Sequence, residues 1–194
     1  MNLVEARTSI EIYEQDYLLS CHYGDYQRAL ELAEKLYELK CYWLGKKHPD
    51  ILKLLKDLAY FNYKLGKFEK SLEAKEKLYA LLCSVKGQEH PESLQVLADL
   101  VYSYGKLDKQ EKMLAANEKL YQLQCKVNGE KDEKTLITLE YLIVMQSDLK
   151  RALELAKKLY AIRCEIFSAD NPKTKEALEL LNEIKIKIEE NSGK

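Results

Sequence analysis

The tetrapeptide Glu34-Lys35-Leu36-Tyr37 returns as Glu76-Lys77-Leu78-Tyr79, again as Glu118-Lys119-Leu120-Tyr121, and a last time as Lys157-Lys158-Leu159-Tyr160. The first two intervals are 42 residues and the last is 39. Cysteine keeps the same beat at Cys41, Cys83, Cys125 and Cys164, and glycine follows at Gly45, Gly87 and Gly129. The next segment then opens with His48-Pro49, His90-Pro91, Asp132-Glu133 or Asn171-Pro172. This many residue types held in phase mark an internal repeat, and the period governs how every segment between is read.

Each period holds two helical patterns. The longer covers about residues 26–44, where Tyr26, Ala29, Leu30, Ala33, Leu36, Tyr37, Leu39 and Trp43 recur at helical spacing. Its copies are expected to begin near Phe68, Lys109 and Leu149. The shorter covers residues 49–65, with Leu52, Leu55, Leu58 and Ala59 on one face, and its copies begin at Pro91, Glu133 and Pro172. Proline in a first helical turn forfeits no hydrogen bond, and Asp132 or Asn171 before that turn can cap its free amides; His48 and His90 hold the same place. Gly24 and Gly66 mark the turn from short helix to long helix. Asp108 and Ser147 replace them, which predicts a looser or differently shaped turn. The three missing residues fall within 142–147 and predict a shortened helix or loop. With residues 5–23 read as a leading helix, the chain has about nine helices: four pairs and a capping helix over residues 172–190, whose polar tail, 185–194, solvates the end of the stack.

A two-helix unit buries too little apolar surface to stand alone, whereas stacking joins the stripes into one core. The expected fold is therefore an all-α solenoid, a single domain over residues 4–190. Each fully buried leucine of the column Leu36, Leu78, Leu120 and Leu159 contributes roughly 1.5 to 3 kcal/mol.

Composition narrows the function. The 194 residues carry 31 basic and 32 acidic side chains, a formal net charge of -1, so no basic excess points to nucleic acid or an anionic membrane. Residues 1–10 lack the order of a secretory signal, and no stretch approaches the roughly 18 apolar residues of a membrane span. Five cysteines, four of them spaced by the repeat, read as small packing residues in a reducing compartment, giving a cytoplasmic expectation. No metal or cofactor is expected. No catalytic constellation is visible, and the expectation is that the protein is not an enzyme.

Leu58-Ala59, then Leu65-Gly66-Lys67-Phe68, a long helix, Gly87 and His90-Pro91 together resemble the 42-residue tetratricopeptide repeats of kinesin light chains and their bacterial relatives. The resemblance covers about residues 10–185. It implies a right-handed superhelix that binds peptides or proteins in its concave face, lined by the shorter helix of each pair. Leu36-Tyr37 in place of the more common alanine-leucine departs from the pattern, and no long coiled-coil segment is present to grip a motor chain.

With Leu55, Leu58 and Ala59 facing the core, the opposite side of the first short helix carries Lys53, Lys56, Tyr60, Tyr63 and Lys64. The second copy gives Gln95, Tyr102 and Lys106, and the third gives Tyr141, followed by Val144 and Met145. Tyr60, Tyr102 and Tyr141 are read as a ladder of amphipathic contacts, or alternatively as packing between helices. Lys53, Lys56, Lys64 and Lys106 predict a positive channel that favours acidic peptides. The leading expectation is a non-enzymatic adaptor or scaffold that binds a peptide or protein. The rivals are a regulator whose solenoid changes curvature on binding and a homo-oligomeric building block joined through the stripe Ala177, Leu178, Leu181, Ile184 and Ile188. Monomer and homodimer both stay open.

Overall fold

A computed structural model describes residues 3–192. Residues 1–2 and 193–194, the ends of the segment read for a leader and of the polar tail, lie outside the described residues. Among those described there are nine helices and no strand: α1 (Leu3–Tyr23), α2 (Tyr26–Leu44), α3 (Pro49–Lys64), α4 (Phe68–Lys86), α5 (Pro91–Lys106), α6 (Gln110–Val127), α7 (Glu133–Met145), α8 (Leu149–Ile166) and α9 (Pro172–Ser192). The 42-residue beat places the helix starts, and the three missing residues are taken from α7, which has 13 residues where α3 and α5 have 16.

The chain forms two compact units, one up to Lys109 and one from Gln110 onward. In the first unit α1 to α4 each pack on the next helix of the chain, and in the second α6 to α8 do the same. Connections of a few residues force such neighbours to run antiparallel. The leucine column is the spine of both: Leu36 and Leu78 in the first unit and Leu120 and Leu159 in the second are all at most 4% exposed. Ala177, Leu181 and Ile184 of the C-terminal stripe are buried within the core of the second unit, so that stripe is used inside the chain.

Capping follows the repeat. His48 Nδ1 accepts from the Asp50 amide at 3.3 Å and His90 Nδ1 from the Glu92 amide at 3.2 Å. Asp132 Oδ1 accepts from the Lys134 and Thr135 amides, and Asn171 Oδ1 from that of Lys173 at 2.9 Å. Four side-chain acceptors thus perform one task, satisfying an amide that a helix start leaves free.

The turn at Asp108 corrects the expectation from sequence. Gly66 has φ +72° and Asp108 φ +53°. The Lys67 amide donates to Asn62 O at 2.8 Å and the Lys109 amide to Tyr104 O at 2.9 Å, so the two turns share one hydrogen-bond pattern. Aspartate is among the few residues that enter the left-handed region as single residues, which keeps the turn intact without glycine. At Ser147 the shape does change, with Gln146 in extended backbone at the end of the shortened α7.

The cysteines also differ from expectation. Cys21, Cys41, Cys83 and Cys125 are half-buried and Cys164 is exposed, each following a tyrosine by four residues on a long or leading helix. Burial pushes the Cys21 and Cys125 thiols above their ordinary value.

The residue before each of the four repeat cysteines is buried but varies in polarity: Lys40, Leu82, Gln124 and Arg163. In the first unit Lys40 lies between α1 and α3, 2.5 Å from Glu14 and bonded to Asp50. In the second unit Arg163 lies between α7 and α9, 2.5 Å from Glu140 and donating to the Lys173 carbonyl at 2.9 Å. Glu14 and Glu140 are the same repeat position. Burial raises the Glu140 carboxyl above its ordinary value, against the pull of Arg163.

Candidate groove in the first unit

Because α3 and α5 start with the same capped proline and have the same length, their outward faces come into register. A cavity of about 490 Å³ opens between them above α4. Its walls are Lys56, Ala59, Tyr60 and Tyr63 from α3 and Glu92, Gln95, Val96, Asp99 and Tyr102 from α5; Lys75 and Leu78 of α4 form the floor. The size lies within the range of small-molecule and side-chain pockets. Of the residues singled out in the sequence, Lys56, Tyr60, Tyr63, Gln95 and Tyr102 meet here. Tyr60 and Tyr102 are 48% and 58% exposed, so both rings are available to a guest.

Lys106 and Lys64 stand beside the cavity on aromatic faces. Lys106 Nζ is 5.2 Å from the Tyr63 ring, 4.9 Å from Phe68 and 5.9 Å from Tyr102. Lys64 Nζ is 5.4 Å from the Tyr60 ring. A cation over a ring face is attracted by the ring quadrupole and keeps its charge. A hydrogen bond from Lys106 pulls the Tyr63 hydroxyl below its ordinary value.

Lys53 and Tyr141 fall elsewhere. Lys53 lines a smaller depression one repeat earlier, between α1, α2 and α3, with Glu14, Tyr17, Lys40, Asp50 and Asp57. The Tyr17 hydroxyl donates to Asp57 Oδ2 there at 2.6 Å. Tyr141 belongs to the second unit and is exposed. Counted from the helix starts, it holds the place of Asp57 and Asp99, whereas Val144 holds that of Tyr60 and Tyr102. The deletion lies after Leu142, so the 42-residue register still applies at 141.

The charge predicted from the lysines is carried at the rim by Lys64 and Lys106, not by the cavity walls. The lining carries Lys56 and Lys75 against Glu92 and Asp99, a balanced set. Glu92 receives Lys56 at 2.9 Å and also Lys86, and these hydrogen bonds hold its carboxyl down at about 2. Sequence reasoning passed over Glu92, Asp99 and Lys75. The 36 residues between Lys56 and Glu92 give no local charge pattern, and Lys75 sits within the charged stretch of residues 69–77 that reads as a solvated face. One signal was present: Lys75 is three residues before Leu78, a column leucine, and so shares its helix face.

These features define a class: an all-α chain of repeated helix pairs with a side-chain groove between successive short helices. No protein-family model matches the chain, and no curated protein matches it in sequence. Solved structures do match. Crystalline TPR-like repeats, nearly identical to one another, from a kinesin light chain-type protein of Podosopora anserina align with a TM-score of 0.63 and 20% identity, covering 94% of each chain. BtubC (BKLC) of P. vanneervenii aligns with a TM-score of 0.58 and 17% identity, covering 93% of this chain and 73% of that one. The fold is thus that of the tetratricopeptide-like repeats.

Proposed function

We propose that the protein is a non-enzymatic binding module that seats an extended peptide segment of a partner protein along the α3 and α5 face. The carrying observation is the cavity itself, with three tyrosines over an apolar floor edge formed by Ala59, Leu78 and Val96. Tyrosine offers large, rigid, amphipathic contact area at low entropic cost. An apolar or aromatic side chain of the guest would enter the cavity, and acidic residues beside it would meet Lys106 and Lys64, whose charges carry no carboxylate partner in the groove. Stacked helices hold the site open before the guest arrives, which reduces the ordering cost on the receptor side. TPR-like folds generally serve as protein-interaction scaffolds, which supports the reading. Among the described residues no helix is long and apolar enough to cross a membrane; a cytoplasmic setting, and residues 4–190 acting as one binding domain, belong to the same proposal.

The test is a peptide array of acidic-flanked aromatic sequences, followed by calorimetric titration of the best binders. Tyr102→Ala combined with Lys106→Glu should weaken binding roughly tenfold or more, with helicity unchanged by circular dichroism. Equal affinity for the two proteins removes the groove assignment.

A further inference from the structure

Lys75 differs from the charge-paired lysines of the first unit. Lys40 lies on two carboxylates, and Lys56 and Lys86 both lie on Glu92. Lys75 is half-buried on the cavity floor, donates to Ser103 Oγ at 2.8 Å and lies 5.9 Å from the Tyr63 ring centre. Ser103 has its own proton committed to the Asp99 carbonyl oxygen at 2.8 Å, so the hydroxyl presents lone pairs to the amine. A neutral amine can satisfy that contact with one N–H and keep its own lone pair free. Burial lowers the Lys75 pKa from its ordinary value, with Asp99 and Tyr63 opposing in part. Desolvation of this kind is a general route to a nucleophilic lysine. The surrounding walls of Tyr60, Tyr63, Tyr102, Ala59, Leu78 and Val96 suit an uncharged apolar or aromatic body.

We propose that Lys75 is a covalent modification site that condenses with aldehydes carried on an apolar or aromatic small molecule seated in the cavity. The amine lone pair attacks the carbonyl carbon, a C–N bond forms, and the carbonyl π electrons move to oxygen. Transfer of a proton from nitrogen to oxygen gives the carbinolamine. Loss of its hydroxyl together with the remaining nitrogen proton releases water and leaves the imine, so amine and aldehyde become imine and water with no oxidant or reductant. The adduct would occupy the groove, closing the site to a guest.

The test treats the intact protein at neutral pH with substoichiometric benzaldehyde and cyanoborohydride, which traps the imine as a secondary amine, and maps the label by peptide mass spectrometry. Lys75 should carry about fivefold or more label than any other lysine, and the preference should vanish in concentrated urea. Lys75→Arg should lose that label while the other lysines keep theirs. Uniform labelling of the native protein, or labelling led by an exposed lysine such as Lys64, overturns the proposal. No peptide is needed, so this result and the groove titration can fail independently.

Discussion

Lys40 offers the sharpest test of how the repeat is held together. Its ammonium is bonded to Glu14 on α1 and Asp50 on α3, with its own side chain 9% exposed and the two carboxylates 41% and 43% exposed. The same position one repeat later is Leu82, fully buried. If the site is at bottom an apolar slot, Lys40→Leu should be close to neutral, within about 1.5 kcal/mol, because half-exposed carboxylates can return to water and the lost ion pair is replaced by packing. Lys40→Ala should be far worse. It removes three buried methylenes at about 0.8 kcal/mol each. It also loses an ion pair worth about 1 kcal/mol once solvent screening of the carboxylates is allowed for. The sum is about 3 kcal/mol.

A pH arm separates charge from packing. The hydrogen bond from Lys40 holds the Asp50 carboxyl below its ordinary value of 3.8. A depressed carboxyl contributes stability that is present above the unfolded value and is lost as pH falls through the folded one. The wild-type advantage over Lys40→Leu should therefore shrink from neutral pH to pH values below the ordinary aspartate range. Urea unfolding followed by fluorescence of Trp43, the sole tryptophan and a residue of α2, reads this unit directly. A leucine variant as unstable as the alanine variant, or a difference that ignores pH, refutes the reasoning.

Two further perturbations address the turn and the second unit. Gly66→Ala should cost about 1 kcal/mol in urea unfolding, since the left-handed backbone disfavours a Cβ although nothing lies within 4 Å of where it would sit, and Gly66→Asp should cost less because Asp108 holds the equivalent conformation. Arg163→Ala should destabilise by about 3 to 5 kcal/mol in urea melts followed by circular dichroism, with Arg163→Lys recovering only part, because the guanidinium reaches both Glu140 and the Lys173 carbonyl from a site 2% exposed. Full recovery by lysine would mean that charge alone, without the forked geometry, fills that site.

Helix order and core were legible because they rest on features that repeat along the chain. Leucine at one position per period, a capped start before Pro49, Pro91 or Pro172, and a gap of three residues are each visible without knowing what touches what. Asp108 was misread because residue identity stood in for backbone conformation: the turn needs a residue that tolerates positive φ, and aspartate is a second solution to it. Tyr141 stands at the helix position of Asp57 and Asp99, and Val144 at that of Tyr60 and Tyr102.

The groove's charge was illegible for a deeper reason. A pair such as Lys56 and Glu92 exists only because two short helices one repeat apart lie side by side, so each partner looks like an ordinary solvated residue in its own helix. The same positions one repeat earlier are Glu14 and Asp50, two acids, and there the cation comes from Lys40 on the long helix between them. Where the long helix offers Leu82, Glu92 is met by Lys56 of the short helix at 2.9 Å and by Lys86 at the end of the long one. The cations that meet the acids between neighbouring short helices therefore come from different positions in different repeats. A lysine in this register cannot be counted as free positive charge for a ligand until its two partners are known. By that criterion, of the lysines around the cavity, Lys56 is structural, while Lys64 and Lys106 on their aromatic faces and Lys75 on the floor are left to act on whatever enters.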